Sequence, residues 1–577
     1  MDTPKKTWDF FDEFRGKKFT GEWPTLSEMM SITATRYPDR NAFTVFDPDR
    51  ITLTYAELEA TAKKLACWMN EKGINKGDHV ALSGKNSPEW AIVLFAVSYA
   101  GAIAIPLDYG LHNNELESLI NTAKPKLLFI DEEKHDHFVE FAKKSESLGH
   151  VYSLSKKHPE TYIYNLKPEG VPELPKATEN DLAAILFTSG TTGNPKGVML
   201  THKNFVSDCY IAQTRMNIFH TDIFYALLPL HHSYTLLAVL IETVSVGAEV
   251  IFGKTLAVSK LIHELQEGKV TMFLGVPLLF NKLISGILKG IKSKGPIVFG
   301  LIKAMMGISY MAKKVFKANI GKALFKPILQ KAGLYNLRIA ICGGGPLAPS
   351  IFRAYNEFGI NFVQGYGLTE TSPIVALNPV EHFKIESVGQ SFFPYSEVKV
   401  INPDEKGVGE LCFKGPMIMQ GYYNMPEETA EVLSEDGWFR TGDLGWIDEE
   451  QYVYLCGRAK NMIVTEGGKN VYPEEIENAF QLYFNEIEQI TVQGYTANET
   501  IKSEEPEALI YATDDLYKRE NLTRGKSEDD KKIEEIIQNI VDNTNKTLLP
   551  YQRITKVTML STPLEMTTTK KVKRKTK

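Results

Sequence analysis

Two apolar stretches, Ala183–Phe187 and the run beginning at Val198, enclose a loop that reads Thr188-Ser-Gly-Thr-Thr-Gly-Asn-Pro-Lys196. Short apolar runs on both sides of so small and polar a connection read as buried strands. Gly190 and Gly193 let backbone N–H groups approach an anion, and the hydroxyls of Thr188, Ser189, Thr191 and Thr192 add donors. Lys196 neutralises charge. The pattern is that of a phosphate-holding loop between strands, against the plainer reading of a glycine-rich hairpin turn. It is not a Walker-type loop, because Lys196 precedes Gly197 rather than Ser or Thr and no helix start follows.

At 577 residues the chain exceeds one ordinary domain. Strand-like runs alternate with helical patterns: Val80–Leu82 before a helix over Pro88–Tyr99, Leu127–Ile130 before a helix near Phe138, and Ile223–Ala226 before Leu236–Val244. Glu249–Phe252 then precedes Leu261–Glu267, and Met272–Leu274 precedes Leu278–Ile284. Such alternation predicts α/β layers with largely parallel sheets. From Ser387 to Gly415 short alternating strands predict a β-rich subdomain. After Gly457 the texture becomes a compact α+β unit, with strands at Thr491–Gly494 and Ala508–Thr513 and a helix over Asp529–Asn545. The expected division is 1–459 and 460–577.

The net charge of −6 gives no hint of nucleic-acid binding. Five scattered cysteines without CxxC spacing fit a reducing compartment and no disulfide or zinc framework. The N-terminus lacks an apolar signal region, and the longest apolar stretch, Trp90–Leu107, is interrupted by Gly101 and Pro106. A cytoplasmic protein, soluble or peripheral on the membrane's cytoplasmic face, is expected.

Further motifs follow in order. Ile341-Cys-Gly-Gly-Gly-Pro-Leu347 sets side-chain-free backbone, Gly344 included, after a strand. A flat ring or an acyl chain could lie there, or the glycines could serve only a tight turn. In Gln364-Gly-Tyr-Gly-Leu-Thr-Glu370, Gly365 and Gly367 free the Tyr366 ring to stack on a base. Thr369 offers a hydroxyl to phosphate and Glu370 a hard oxygen to Mg²⁺; the bland alternative is a buried turn with a core tyrosine. Asp443, in Trp438-Phe-Arg-Thr-Gly-Asp-Leu444, is a carboxylate able to accept from both hydroxyls of a ribose.

The phosphate loop resembles the signature of the adenylate-forming superfamily of acyl-CoA synthetases, adenylation domains and luciferases, and the later motifs recur in that family's order from about Thr52 onward. The resemblance implies a nucleotide site built from Thr188, Ser189, Gly190, Thr191, Thr192, Gly193, Lys196, Gly344, Gly365, Tyr366, Gly367 and Thr369, with Asp443 and Arg458 on the ribose. It implies Glu370 as the metal ligand and His232, in Leu228-Pro-Leu-His-His-Ser-Tyr234, near the carboxylate being activated; a satisfied core histidine is the alternative. His231 stands where an aromatic is usual. Lys460 falls on the family's hinge, so the C-terminal domain is expected to be mobile, bringing Gly467 and Gly468 toward a pantetheine arm. In the tail, Lys571 aligns with the catalytic lysine, although Lys570 stands where the family has glycine and could be the residue that inserts. ATP, Mg²⁺ and CoA are the implied partners in the chemistry.

The acid is read from the region Gly268–Asn356, which holds no Asp or Glu and many lysines. On a helix, Lys303, Lys313, Lys314 and Lys317 share an arc of about 100°, opposite Leu301, Ala304, Met305, Ile308, Met311, Ala312 and Val315. A basic amphipathic helix of this kind suits an anionic membrane surface; the alternative is a core-packed helix with a solvated lysine face. Peripheral contact through 285–331 and a long-chain fatty acid are therefore expected, the product being a CoA thioester. Loading of a carrier protein, or a non-catalytic nucleotide-binding relative at the membrane, are the rivals.

Overall fold

The computed structural model describes residues 6–47, 49–170, 172–188, 195–255, 257–465, 469–498, 503–566 and 572. A thirteen-stranded sheet runs through the larger part of the molecule. Its parallel half sets Asn41–Val45, Glu249–Phe252, Ile223–Ala226, Met272–Gly275, Ile339–Cys342 and Asn361–Gly367 side by side. At Asn361–Gly367 the pairing turns antiparallel, and strands between Ile374 and Arg458 continue the same sheet. The β-rich stretch read from Ser387 thus joins the edge of the parallel sheet.

A second sheet of seven strands carries the phosphate-loop pair. Leu182–Thr188 lies antiparallel to Lys196–Thr201, with Thr188 opposite Lys196. The apolar helix Pro88–Tyr99 starts with Ser87 accepting from the Trp90 N–H and has Pro88 in its first turn, where a missing N–H costs nothing. It is buried nearly all round, which explains why its sequence has no polar face. The same core takes in Phe129, Leu186, Phe224 and Val363, drawn from both sheets.

The predicted helix over Leu278–Ile284 is longer, Pro277–Lys292, and the next helix spans Pro296–Phe316. Beyond the strand Tyr452–Arg458 a separate core gathers Ile463, Val471, Ile476, Val492, Ile510 and Ile537. Its sheet pairs Ile487–Asn498 with Ser503–Ala512 antiparallel and the latter with Lys556–Met559 parallel. The charged helix Ser527–Asn545 places Ile533, Ile537 and Val541 on that core at helical spacing.

Candidate active site

A cavity of about 1770 Å³ opens between the two sheets and gathers most of the residues singled out above. Thr188 and Lys196 line it at the strand ends, while Ser189, Gly190, Thr191, Thr192 and Gly193 lie outside the described residues. The Lys196 ammonium sits 4.7 Å over the Tyr422 ring, and the Tyr422 hydroxyl donates to Glu370 Oε1 at 2.9 Å. Burial, then the Glu370 carboxylate, raises the Tyr422 phenol, so it stays a donor. Thr369 lies 3.2 Å from the Ser233 hydroxyl, which brings the His232 segment against the Glu370 turn.

Asp443 and Arg458 face each other across adjacent antiparallel strands, with Arg458 Nε 2.9 Å from Asp443 Oδ1; Arg458 lines the cavity, whereas Asp443 is buried and is not part of its lining. The Tyr366 hydroxyl donates to Asp443 Oδ2 at 2.6 Å. Burial alone would lower Arg458, yet Asp443, the Tyr366 phenol and Glu370 hold it above its ordinary value. Burial and then Asp443 raise Tyr366 as well, keeping its proton. With Oδ1 on Arg458 and Oδ2 on Tyr366 the carboxylate is fixed in orientation, and its remaining lone pairs are able to accept from a vicinal diol.

Glu370 presents one carboxylate to the cavity beside Thr369 and near Lys196. That donor set suits Mg²⁺, which takes one or two carboxylates and completes its shell from phosphates and water. Gly344 has φ +77° in the turn after Ile339–Cys342, and a Cβ on its neighbour Gly343 would lie 3.0 Å from the Tyr234 ring. A Cβ at Gly367 would fall 1.6 Å from the Pro373 carbonyl oxygen, so the glycine there is demanded by chain packing. His232 and Lys460 also line the cavity. Gly467, Gly468 and Lys571, with Lys570, lie outside the described residues; Glu565 and Met566, just before them in the tail, line the cavity.

Residues 31–423 match the AMP-binding enzyme family. The chain belongs to that family. Its relatives include a feruloyl-CoA synthase of Amycolatopsis sp, 30% identical over 80% of this chain and 83% of that protein. A long-chain-fatty-acid–CoA ligase of Bacillus subtilis is 28% identical over 83% and 85%. Among solved structures, ATP-bound MatB from Rhodopseudomonas palustris superimposes with a TM-score of 0.72 at 25% identity, covering 95% of this chain and 97% of that one. The chain is therefore a member of the adenylate-forming superfamily, an acid–thiol ligase of the AMP-forming class.

Three features of this family member had no signal in the sequence. Tyr422 reaches Glu370 only because Gly421–Tyr422 pairs with Val198–Met199 in the second sheet. Tyr234 closes over the glycine turn by donating to the Ile341 carbonyl at 3.1 Å. Glu242 is 4% exposed and lines the inner end of the cavity, and its Oε1 has no hydrogen-bond partner among the described residues.

Burial pushes the Glu242 carboxyl up from 4.5 to about 8. Between those limits the folded chain holds a proton that the unfolded chain has lost. Stability from this group is full below the lower limit and falls as pH rises toward the upper, by about 1.4 kcal/mol per pH unit. Glu242→Gln is expected to flatten the decline of Tm measured from about pH 6 to about pH 8. An unchanged slope would mean that the carboxyl is solvated in the folded protein.

Proposed function

We propose that this enzyme activates a long-chain fatty acid with ATP and transfers the acyl group to CoA. The observation that carries this reading is the continuity of the cavity. The cavity that Tyr366 and Arg458 line also takes in a chamber lined by Ala212, Met216, Ile218, Phe224, Ala238 and Leu274. Such a lining favours an alkyl chain by about 0.8 kcal/mol per buried CH₂. Burial keeps Glu242, at its inner end, largely neutral at pH 7.

In this reading Asp443 and Arg458 hold the ribose, and Tyr366 fixes the Asp443 carboxylate. The loop Thr188 to Lys196 holds the phosphates. With Mg²⁺ bound at Glu370, charge on the phosphates is neutralised. A carboxylate oxygen of the acid, oriented near His232, attacks the α-phosphorus; the bond to the pyrophosphate oxygen breaks and pyrophosphate leaves. Lys571 stabilises the charge that develops between carboxylate and α-phosphate. The unit 460–577 then turns about Lys460 and brings the Gly467–Gly468 segment to the pantetheine arm. The CoA thiol, losing its proton, attacks the acyl carbon and AMP departs.

We also propose that the enzyme works in the cytoplasm and meets the membrane's cytoplasmic face through 285–331. Among the described residues no helix is long and apolar enough to cross a membrane. Pyrophosphate release measured across acids of increasing chain length, with ferulate and a short dicarboxylate in the same series, tests the substrate. The expected result is a maximum at long alkyl chains with CoA as acceptor. A maximum at ferulate overturns the long-chain reading, and acyl transfer to a holo-carrier protein but not to CoA overturns the acceptor.

A further inference from the structure

Among the described residues, nine of the seventeen large apolar side chains that stand exposed lie between Ile297 and Leu324. They are concentrated on the helix Pro296–Phe316 and on the turn that follows it. The sequence led us to expect a lysine face outward and a single apolar face opposite it. The structure shows a helix with two apolar faces.

One face is buried. Met306, Ser309 and Tyr310 pack inward, and Lys313 goes with them, its ammonium donating to Asn356 Oδ1 at 2.7 Å and Asn361 Oδ1 at 2.9 Å. Burial lowers this lysine to about 8, so it belongs to the packing and leaves the outward lysine face. On the other face Ile297, Leu301, Ala304, Ile308, Met311 and Val315 follow one another at alternating steps of four and three residues. At about 100° per residue those steps hold all six within about 40° of one line. Ile297 is 86% exposed, and Leu301, Ile308, Met311 and Val315 are each more than 60% exposed. A contiguous exposed apolar stripe of this kind, about 30 Å long on a 21-residue helix, is the sort of surface that marks an interaction site.

The rim chooses the occupant. Exposed Lys303 and Lys314 lie along one side of the stripe, Lys317 stands at its C-terminal end, and Lys289, Lys292 and Lys294 stand exposed just before its N-terminus. From 268 to 356 the chain has no acidic residue to offset them. A second copy of this chain would set lysine against lysine. An anionic bilayer supplies both halves of the match, a headgroup layer for the ammonium groups and acyl chains for the stripe.

We propose that the enzyme docks by inserting this stripe into the interface of an anionic membrane, with the lysines at headgroup level. The proposal rests on the membrane contact through 285–331 put forward above, and adds that the contact is insertion by the apolar face rather than adhesion by a lysine face. The helix packs beside Pro277–Lys292, whose first turn follows Val276 in the cavity lining. Docking would thus set one end of the acyl chamber's wall close to the lipid surface.

The test uses the full chain with vesicles of phosphatidylcholine alone or mixed with phosphatidylglycerol. Leu301→Ser, Ile308→Ser and Met311→Ser together should reduce flotation with the mixed vesicles at least tenfold. Lys303→Gln, Lys314→Gln and Lys317→Gln should weaken it in low salt. In the parent, part of the binding should survive 0.5 M salt (~3–5 Å Debye length) because insertion is not screened. An Ile308→Trp reporter should be quenched by lipids brominated along the chain. If the serine variant binds as the parent does, or the reporter is not quenched, insertion is overturned while membrane contact stands. If the parent floats with neither vesicle, both fall. A concentration-dependent dimer broken by the serine changes would assign the stripe to a second copy and overturn the proposal. Turnover of a short soluble acid, measured without vesicles, should be the same in parent and serine variant. The long-chain reading is tested apart from all of these by the chain-length series.

Discussion

Lys571→Ala is expected to cut formation of acyl-AMP from acid and ATP by about 10²- to 10³-fold, the cost of removing one charge-stabilising donor from such a transition state. Conversion of supplied acyl-AMP to the thioester should stay within a few-fold of the parent. The asymmetry follows from where charge develops. In the first half-reaction negative charge gathers between the incoming carboxylate and the α-phosphate, and a lysine placed there lowers the barrier. In the second, the charge leaves with AMP, and the tail need not be in the cavity. Met566 lines the cavity and is bridged to Val572. Single-turnover assays of each half-reaction check the prediction. If Lys570→Ala gives this profile and Lys571→Ala does not, the inserted lysine is one residue earlier than the resemblance implies.

What the sequence could tell depended on the range of the interaction. The flanks of the phosphate loop were legible because both strands are local and apolar, and the register Thr188 opposite Lys196 follows from the loop between them. Asp443 and Arg458 were legible as a pair in order, since fifteen residues bring the chain back along the next strand. That Tyr366 completes their network was not, because the Tyr366 and Asp443 strands meet only through the long path of the thirteen-stranded sheet. Tyr422 and Glu242 were invisible for the same reason: a tyrosine in a two-residue strand and a glutamate in an apolar run carry no mark of the cavity they reach.

The helix Pro296–Phe316 shows the other kind of limit. Its amphipathic period was plain, but period alone does not say which face meets the core. The sequence reads as one apolar arc opposite the lysines, yet the side that carries Lys313 turns inward, where Asn356 and Asn361 accept from it. A lysine counted as surface charge is there a hydrogen-bond donor in the packing. The residues that decided its place lie more than forty positions away.

Lys460→Pro is expected to keep adenylation within a few-fold of the parent while slowing thioester formation at least about tenfold, the effect of locking a rotation that the second half-reaction needs. Lys460 lies in the short turn Ala459–Asn461, directly after the strand that carries Arg458, and it lines the cavity. Past this turn the chain enters the separate core around Ile463, Val471 and Ile476. Contacts across the junction include the Gln481 side chain, which accepts from the Ala348 N–H at 2.7 Å and donates to the Pro346 carbonyl at 2.8 Å. Polar contacts of this kind can be exchanged for others without exposing a core. Proline fixes φ near −65° at its own position and drives Ala459 toward extended backbone, so the turn loses the freedom to take a second conformation. Lys460→Ala, which keeps a free backbone, should retain both half-reactions and separates the loss of the pivot from the loss of the side chain. Equal damage by proline to adenylation and thioester formation, with a lowered Tm, would mean that the turn is needed for folding and that the pivot lies elsewhere.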